Sequence, residues 1–187
     1  MTLLRQDIEA RALAVLASAG EATVPILVDR VAESLGAELH FETLDDNVSG
    51  MLVCKGAAKH IAINAGHHPN RQRFTVAHEC GHLVLHHGVE DRLFLDTHIR
   101  VYQRNGSSSS TVYAESGSTT TPEEERQANE FASALLMPKA LLEEHVERFS
   151  LDLADEYGVS LLAISFGVSE QAMSIRLQQL RLISPAS

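Results

Sequence analysis

Phe74-Thr75-Val76-Ala77-His78-Glu79-Cys80-Gly81-His82-Leu83-Val84-Leu85 is the stretch from which the rest of the chain is read. Histidines four residues apart lie one turn apart on one face of an α-helix, so both rings can address a single ion while Glu79 projects beside them. A catalytic zinc site needs neutral imidazoles or anionic ligands about 2 Å from the ion, with one tetrahedral position left open. At about 100° per residue, Phe74, Ala77, Gly81, Val84 and Leu85 share the arc of the two histidines, which places the pair at the edge of a buried face. Burying two imidazoles there without partners would cost about 1–3 kcal/mol each. Metal coordination explains their position where core packing does not. A bare His-Glu-x-x-His string also arises by chance, but the uncharged Cys80, Gly81, Leu83 and Val84 suit a partly buried catalytic helix. Gly81 adds to this: a helix-interior glycine costs about 1 kcal/mol relative to alanine, and close approach of another backbone would compensate. Cys80, about 200° around the helix from His78, reads as a small packing residue.

A third ligand has to come from elsewhere. Thr121-Pro122-Glu123-Glu124 is a helix start, with Thr121 as N-cap, Pro122 at the first position and Glu124 placed for a capping box. Pro138 ends this helix near Met137. Its apolar arc holds Ala128, Phe131, Ala132, Leu135 and Leu136, and both Glu124 and Glu125 fall within it. Glu124 serves the cap; Glu125 stands one turn before Asn129, so a metal ligand and a residue able to hold a histidine tautomer share one face. Glu123 lies opposite, as a solvated first-turn carboxylate favoured by the helix dipole. The expected set is therefore His78, His82 and Glu125 on the metal, Glu79 as general base and Asn129 behind the ligands.

Around these helices the pattern is mixed. Residues 4–19 read as a helix capped by Gly20. A second helix starts with Pro25 near its first turn and ends at Gly36. From Glu38 to Ile63 the period shortens, with β-type runs at Leu39–Phe41, Met51–Cys54 and His60–Ile63, which predict a small, mainly antiparallel sheet. Pro69 opens the metal helix, which extends to about His87. Between Gly106 and Thr121, 12 of 16 residues are Gly, Ser or Thr, the composition of a flexible surface loop or a substrate-gating lid. The chain after Lys139 is helical, with a turn at 167–169.

The bulk composition narrows the function classes. With 187 residues, 44% hydrophobic and 21% charged, the chain suits one well-buried core, or a core plus a small appendage. A formal net charge of −10 provides no global field for phosphate backbones or anionic lipid. Two cysteines, Cys54 and Cys80, and an N-terminus without a signal-peptide pattern read as a cytoplasmic protein with reduced thiols. No apolar run reaches the roughly 18–20 residues of a membrane span.

Arg71 to His82, followed by Glu125-Arg126-Gln127-Ala128-Asn129-Glu130-Phe131-Ala132 and Leu135-Leu136-Met137-Pro138, resembles the ImmA/IrrE family of metallopeptidases. The likeness extends through Ser49-Gly50, Ile63-Asn64, Phe166-Gly167-Val168-Ser169 and Arg176-Leu177. It implies an α+β fold: a gluzincin-like, zincin-type core with a small antiparallel sheet packed on helices, plus C-terminal helix-turn-helix-like helices. It also implies that His78, His82 and Glu125 bind the metal, zinc with manganese possible, and that Glu79 is the base. Members of the family cleave, or promote removal of, a helix-turn-helix repressor in mobile elements or stress responses. Two departures stand out: Gln127 occupies a position where Glu is frequent, and the Ser/Thr-rich stretch lengthens the connection between the motifs.

The sequence thus divides into residues 1–138, a metallopeptidase domain, and 139–187, a helical segment. Metal-assisted peptide hydrolysis follows, with Glu79 passing a proton from water to the leaving amine. Tyr102, Tyr113, His67, His68, His86 and His87 are candidates to stabilise the oxyanion, and no spacing rule selects among them. Arg71 and Arg73 read as flanking the helix, with a substrate carboxylate as the other possibility. The competing class is a regulator acting without proteolysis, because Leu162 to Met173 has helix-turn-helix order. Its charge argues against DNA: residues 151–187 hold four acids against Arg176 and Arg181, where a DNA reader gains affinity by neutralising phosphates. A third class, a toxin whose metal helix is only a binding scaffold, would act without Glu79.

Overall fold

The structure is a computed structural model and describes residues 3–86, 92–96, 120–153 and 155–183. The Ala/Leu-rich start forms α1 (Arg5–Ala19), which stops where Gly20 takes φ 71°, its N–H donating to the Ala17 carbonyl while the Glu21 N–H donates to that of Leu16. The second helix corrects the expectation. Helix α2 (Val28–Ser34) begins three residues after Pro25, whose peptide bond with Val24 is cis. The buried Glu21 carboxylate accepts the Leu27 N–H at 3.1 Å, so a side chain organises the helix entry and Pro25 stays in the turn before it.

Four strands, β1 (Glu38–Glu42), β2 (Gly50–Lys55), β3 (Ala58–Asn64) and β4 (Arg92–Asp96), pair in the order β1-β3-β2-β4. The β2–β3 and β2–β4 pairings are antiparallel, as expected of a mainly antiparallel sheet, while β1 joins β3 in parallel. Alternation assigns the faces: Leu52, Ile61 and Ile63 are fully buried, whereas His40 and His60 project to the other side. Asn64 fixes the end of β3. Its amide nitrogen donates to the carbonyls of Leu44 (3.3 Å), Asp45 (3.1 Å) and Val48 (2.9 Å), and its Oδ1 accepts the Gly66 N–H at 3.0 Å.

Pro69 then occupies the first turn of α3 (Pro69–Leu85), with the His68 side chain accepting the Asn70 N–H. Helix α4 (Pro122–Leu136) packs across both α3 and α1. Three helices follow: α5 (Lys139–Phe149), α6 (Glu156–Phe166) and α7 (Glu170–Gln179). Gly167 turns the chain at φ 63°, and α6 and α7 meet at 104°, within the roughly 90–120° of helix-turn-helix pairs. The core is continuous along the chain, since Leu142, Phe166 and Leu177 belong with Ile8, Leu52 and Phe131. Arg176 ties the end to the beginning: its guanidinium clasps the Glu9 carboxylate, Nη2 to Oε2 at 2.9 Å, and its Nε donates to the Met137 carbonyl at 3.0 Å. No single described helix is long and apolar enough to cross a membrane. Residues 106–119 of the Ser/Thr-rich stretch lie outside the described residues.

Candidate metal centre

Helix α3 carries His78 and His82 at i and i+4, and both are almost wholly buried, at 1% and 2% exposure. Their Nε2 atoms face each other at 3.1 Å. Glu125 reaches in from α4, with Oε2 3.2 Å from His78 Nε2 and Oε1 3.3 Å from His82 Nε2. Ligands about 2.0–2.1 Å from a tetrahedral zinc ion are separated by about 3.3 Å, so these three side chains have the spacing of one face of such a site. The donor chemistry fits as well. Burial pushes His82 down to about 4, against the opposing hydrogen bond that its ring donates to Glu125, so the ring is neutral near pH 7 and can give a lone pair to an ion. Burial acts to raise the Glu125 carboxyl, but hydrogen bonds from His78 and His82 outweigh it and keep the group below the usual carboxylate range. Two imidazoles and an anionic carboxylate result, a ligand set suited to zinc.

Asn129 sets the tautomer of His78. Its Nδ2 donates to the Glu125 carbonyl at 2.8 Å, and because a carbonyl only accepts, this orients the amide with Oδ1 toward His78. Oδ1 lies 3.2 Å from His78 Nδ1, so it can accept an Nδ1 proton, and with an ion in place that tautomer would leave the Nε2 lone pair for the ion in place of the Nε2–H that otherwise donates to Glu125.

The two helices can approach this closely because of Gly81. A Cβ there would meet the Cα and the carbonyl oxygen of Ala128 at 3.1 Å and Phe131 Cδ1 at 3.2 Å. The backbone contact expected from a helix-interior glycine is therefore made by α4, one turn from Glu125. Glu124 is kept for the capping box: its N–H donates to Thr121 Oγ1 at 3.2 Å and its Oε2 accepts the Thr121 N–H at 2.8 Å. Glu123 turns outward, where Arg126 and then Gln127 hold its carboxyl down to about 2. Gln127, the departure from the family pattern, is buried and donates to Glu123 Oε1 at 2.7 Å.

Glu79 is fully buried on the same helix. Burial raises the Cys54 thiol, Lys59 opposes the rise, and the charge of Glu79 adds to it, which puts Glu79 within electrostatic reach of β2. Cys80 is a core residue whose thiol burial pushes well up. Of the oxyanion candidates, His68 caps the start of α3 and His67 Nε2 lies 3.3 Å from the Asp46 carbonyl. A helix rises about 1.5 Å per residue, so His68 is on the order of 20 Å along the axis from His82. His86 remains beside the site, its ring centroid 5.4 Å from that of His82 and its Nε2 3.3 Å from the Glu124 carbonyl. Tyr102, Tyr113 and His87 lie outside the described residues. Arg71 donates to Ser49 Oγ at 2.7 Å, and Arg73 donates to the carbonyls of Gly167 (3.0 Å) and Phe166 (3.4 Å), so both brace the fold.

A cavity of about 890 Å³ adjoins the centre, with Phe74, Asn129, Met137, Val168 and Ala172 in its walls. It touches the residue that orients His78 and does not include the three metal-facing side chains, so it is a neighbour of the centre. Sequence reasoning missed this cavity and the burial of Arg176. A signal for the latter was present, since Met173, Arg176 and Leu177 follow i, i+3, i+4 spacing along a buried stripe.

Paired imidazoles at i and i+4, an acid beside the first and a carboxylate from a second helix define the class of helix-borne metallopeptidase centres. The sequence matches the Peptidase_M78 family, the IrrE N-terminal-like domain, over residues 32–178, and the chain belongs to that family. It is similar to the radiation response metalloprotease IrrE of Deinococcus radiodurans, with 32% identity over 117 residues. That alignment covers 59% of this chain and 31% of the relative, so the chain spans under a third of the relative's length. The fold is similar to that of a Mycobacterium tuberculosis transcriptional regulator, with TM-score 0.59 and 18% identity over 92% of this chain and 46% of that one. At that identity the likeness is one of fold alone.

Proposed function

We propose that the protein is a metal-dependent endopeptidase, with zinc, or manganese in its place, held by His78, His82 and Glu125. The observation that carries this reading is the convergence of those three side chains at 3.1–3.3 Å, with Asn129 on His78. When bound there, an ion would supply Lewis acidity and lower the pKa of a water. Glu79 takes the proton from that water and delivers it to the leaving amine. Asn129 keeps the His78 lone pair turned inward, and Glu125 provides the negative charge that balances the ion.

The substrate in this reading is a protein, a helix-turn-helix transcriptional repressor, whose cleavage relieves repression in a mobile element or a stress response. Support comes from the family and from the radiation-response relative. Residues 1–138 carry the chemistry, and 139–187 dock the substrate, with the apolar cavity between Phe74 and Val168 taking one of its side chains. A cytoplasmic setting belongs to the same reading, because such repressors act there. The second reading is a DNA- or protein-binding regulator without proteolysis, which the 104° angle of α6 and α7 favours. Against its DNA-binding form, Arg176 is buried in its pair with Glu9 and cannot reach phosphate.

Glu79→Gln separates the two readings. Gln keeps the size of the buried side chain but cannot take the proton. Wild type and variant are incubated with a candidate helix-turn-helix repressor, and intact masses are followed. Loss of about 10²–10⁴-fold in cleavage with metal retained supports the peptidase. Equal relief of repression by both proteins, without fragments, selects the binding mechanism.

A further inference from the structure

The sheet face turned away from α3 carries a second set of metal-competent side chains. The parallel register of β1 and β3 places Glu38 opposite His60, and His40 follows Glu38 by two residues, so all three project on the same face. His40 Nε2 lies 3.2 Å from His60 Nδ1, His60 Nδ1 lies 3.4 Å from Glu38 Oε2, and His40 Nε2 lies 3.9 Å from Glu38 Oε1. We propose that Glu38, His40 and His60 form a second, solvent-facing site for a divalent transition metal such as zinc.

This cluster has the same donor types as the buried centre but lies open to solvent. Two of the three separations, 3.2 and 3.4 Å, match the roughly 3.3 Å that a common ion about 2 Å from each ligand imposes, and the third, 3.9 Å from His40 Nε2 to Glu38 Oε1, closes by a small movement of the exposed Glu38 side chain. Imidazole donors favour zinc, nickel and copper over magnesium or calcium. The side chains are 36% (His40), 44% (His60) and 67% (Glu38) exposed, so water completes the coordination and an ion enters without opening the fold. The same exposure leaves Glu38 free to change rotamer, and ordering it on binding makes this site weaker than the buried one. Because β1 is an edge of the sheet among the described residues and pairs there with β3, an ion here cross-links the edge to the interior of the sheet. Binding to the folded chain alone raises its stability by mass action. Without metal, the same groups form a hydrogen-bonded pair of rings beside an acid, which is the competing account.

The test is zinc stoichiometry of the full chain by equilibrium dialysis, with wild type, His78→Ala, His40→Ala, His60→Ala and the double variant His40→Ala/His60→Ala. Wild type is expected to bind two zinc ions, one tightly and one more weakly, with His40→Ala and His60→Ala each losing the weaker class alone. Thermal melts without metal check that the variants remain folded, and with zinc the wild type should gain more in Tm than the double variant. Saturation of wild type at one ion overturns the proposal, as does a weaker class that persists in the double variant. The buried centre is judged separately: retention of the tight class in His78→Ala counts against that centre and leaves the surface site standing.

Discussion

Gly81 on α3 and Ala128 on α4 bring the two backbones so close that a Cβ on Gly81 would stand 3.1 Å from both the Cα and the carbonyl oxygen of Ala128. The contact sits three residues past His78 and three past Glu125, so the helix crossing also sets the width of the metal centre. Gly81→Ala should gain about 1 kcal/mol of helix propensity but lose more to overpacking, typically about 1–3 kcal/mol, because backbone cannot move aside as a side chain can. We expect a lower Tm and weaker zinc binding, read by melting and by chelator competition. A raised Tm with unchanged zinc affinity would remove Gly81 from the account of the site.

Glu124 and Glu125 are neighbours with separate tasks. Glu125→Ala, like His78→Ala and His82→Ala, should lose the tightly held metal, measured by elemental analysis after dialysis. Glu124→Ala should keep it and lose about 1 kcal/mol with the capping box. The reverse pattern would show that the third ligand has been misassigned.

In the proposed centre Asn129 would act on the ion only through His78, which its Oδ1 contacts at 3.2 Å. Asn129→Ala frees the His78 tautomer and should weaken metal affinity about 10–100-fold, with fold stability less affected. Asn129→Asp restores an acceptor for His78 Nδ1 and should recover part of the loss. Equal affinity in all three proteins would leave the 3.2 Å contact without a role in ligation.

Arg176→Met strands the Glu9 carboxylate beneath α7. Breaking a buried pair typically costs about 3–5 kcal/mol, and the residual solvent contact of Glu9 (23% exposed) points to the lower end. Urea unfolding of Arg176→Met, Glu9→Gln and the double variant measures the coupling. Strictly additive losses would mean that the clasp contributes nothing of its own.

What the sequence determined by itself is what short-range chemistry controls. A proline at the first turn, a Thr-x-x-Glu cap, a glycine that takes positive φ and two histidines one turn apart each act within about four residues. For that reason α3, α4, their ends and the face shared by Glu125 and Asn129 were legible before any coordinates. The assignment of Glu124 to the cap left Glu125 to face the two histidines, again by local geometry. Tertiary structure decided what depends on partners far apart in the chain. Strand alternation is satisfied by either direction of pairing, so nothing local shows that β1 runs parallel to β3 or that Glu38, His40 and His60 meet. The start of α2 depended on Glu21 reaching Leu27, not on the helix-start preference of Pro25. In the sequence Arg176 is one of two bases in its segment, and its burial depends on Glu9, at the other end of the chain, which supplies the charge that allows a guanidinium to be buried. Periodicity says which face of an element is turned inward; only packing says what it meets there.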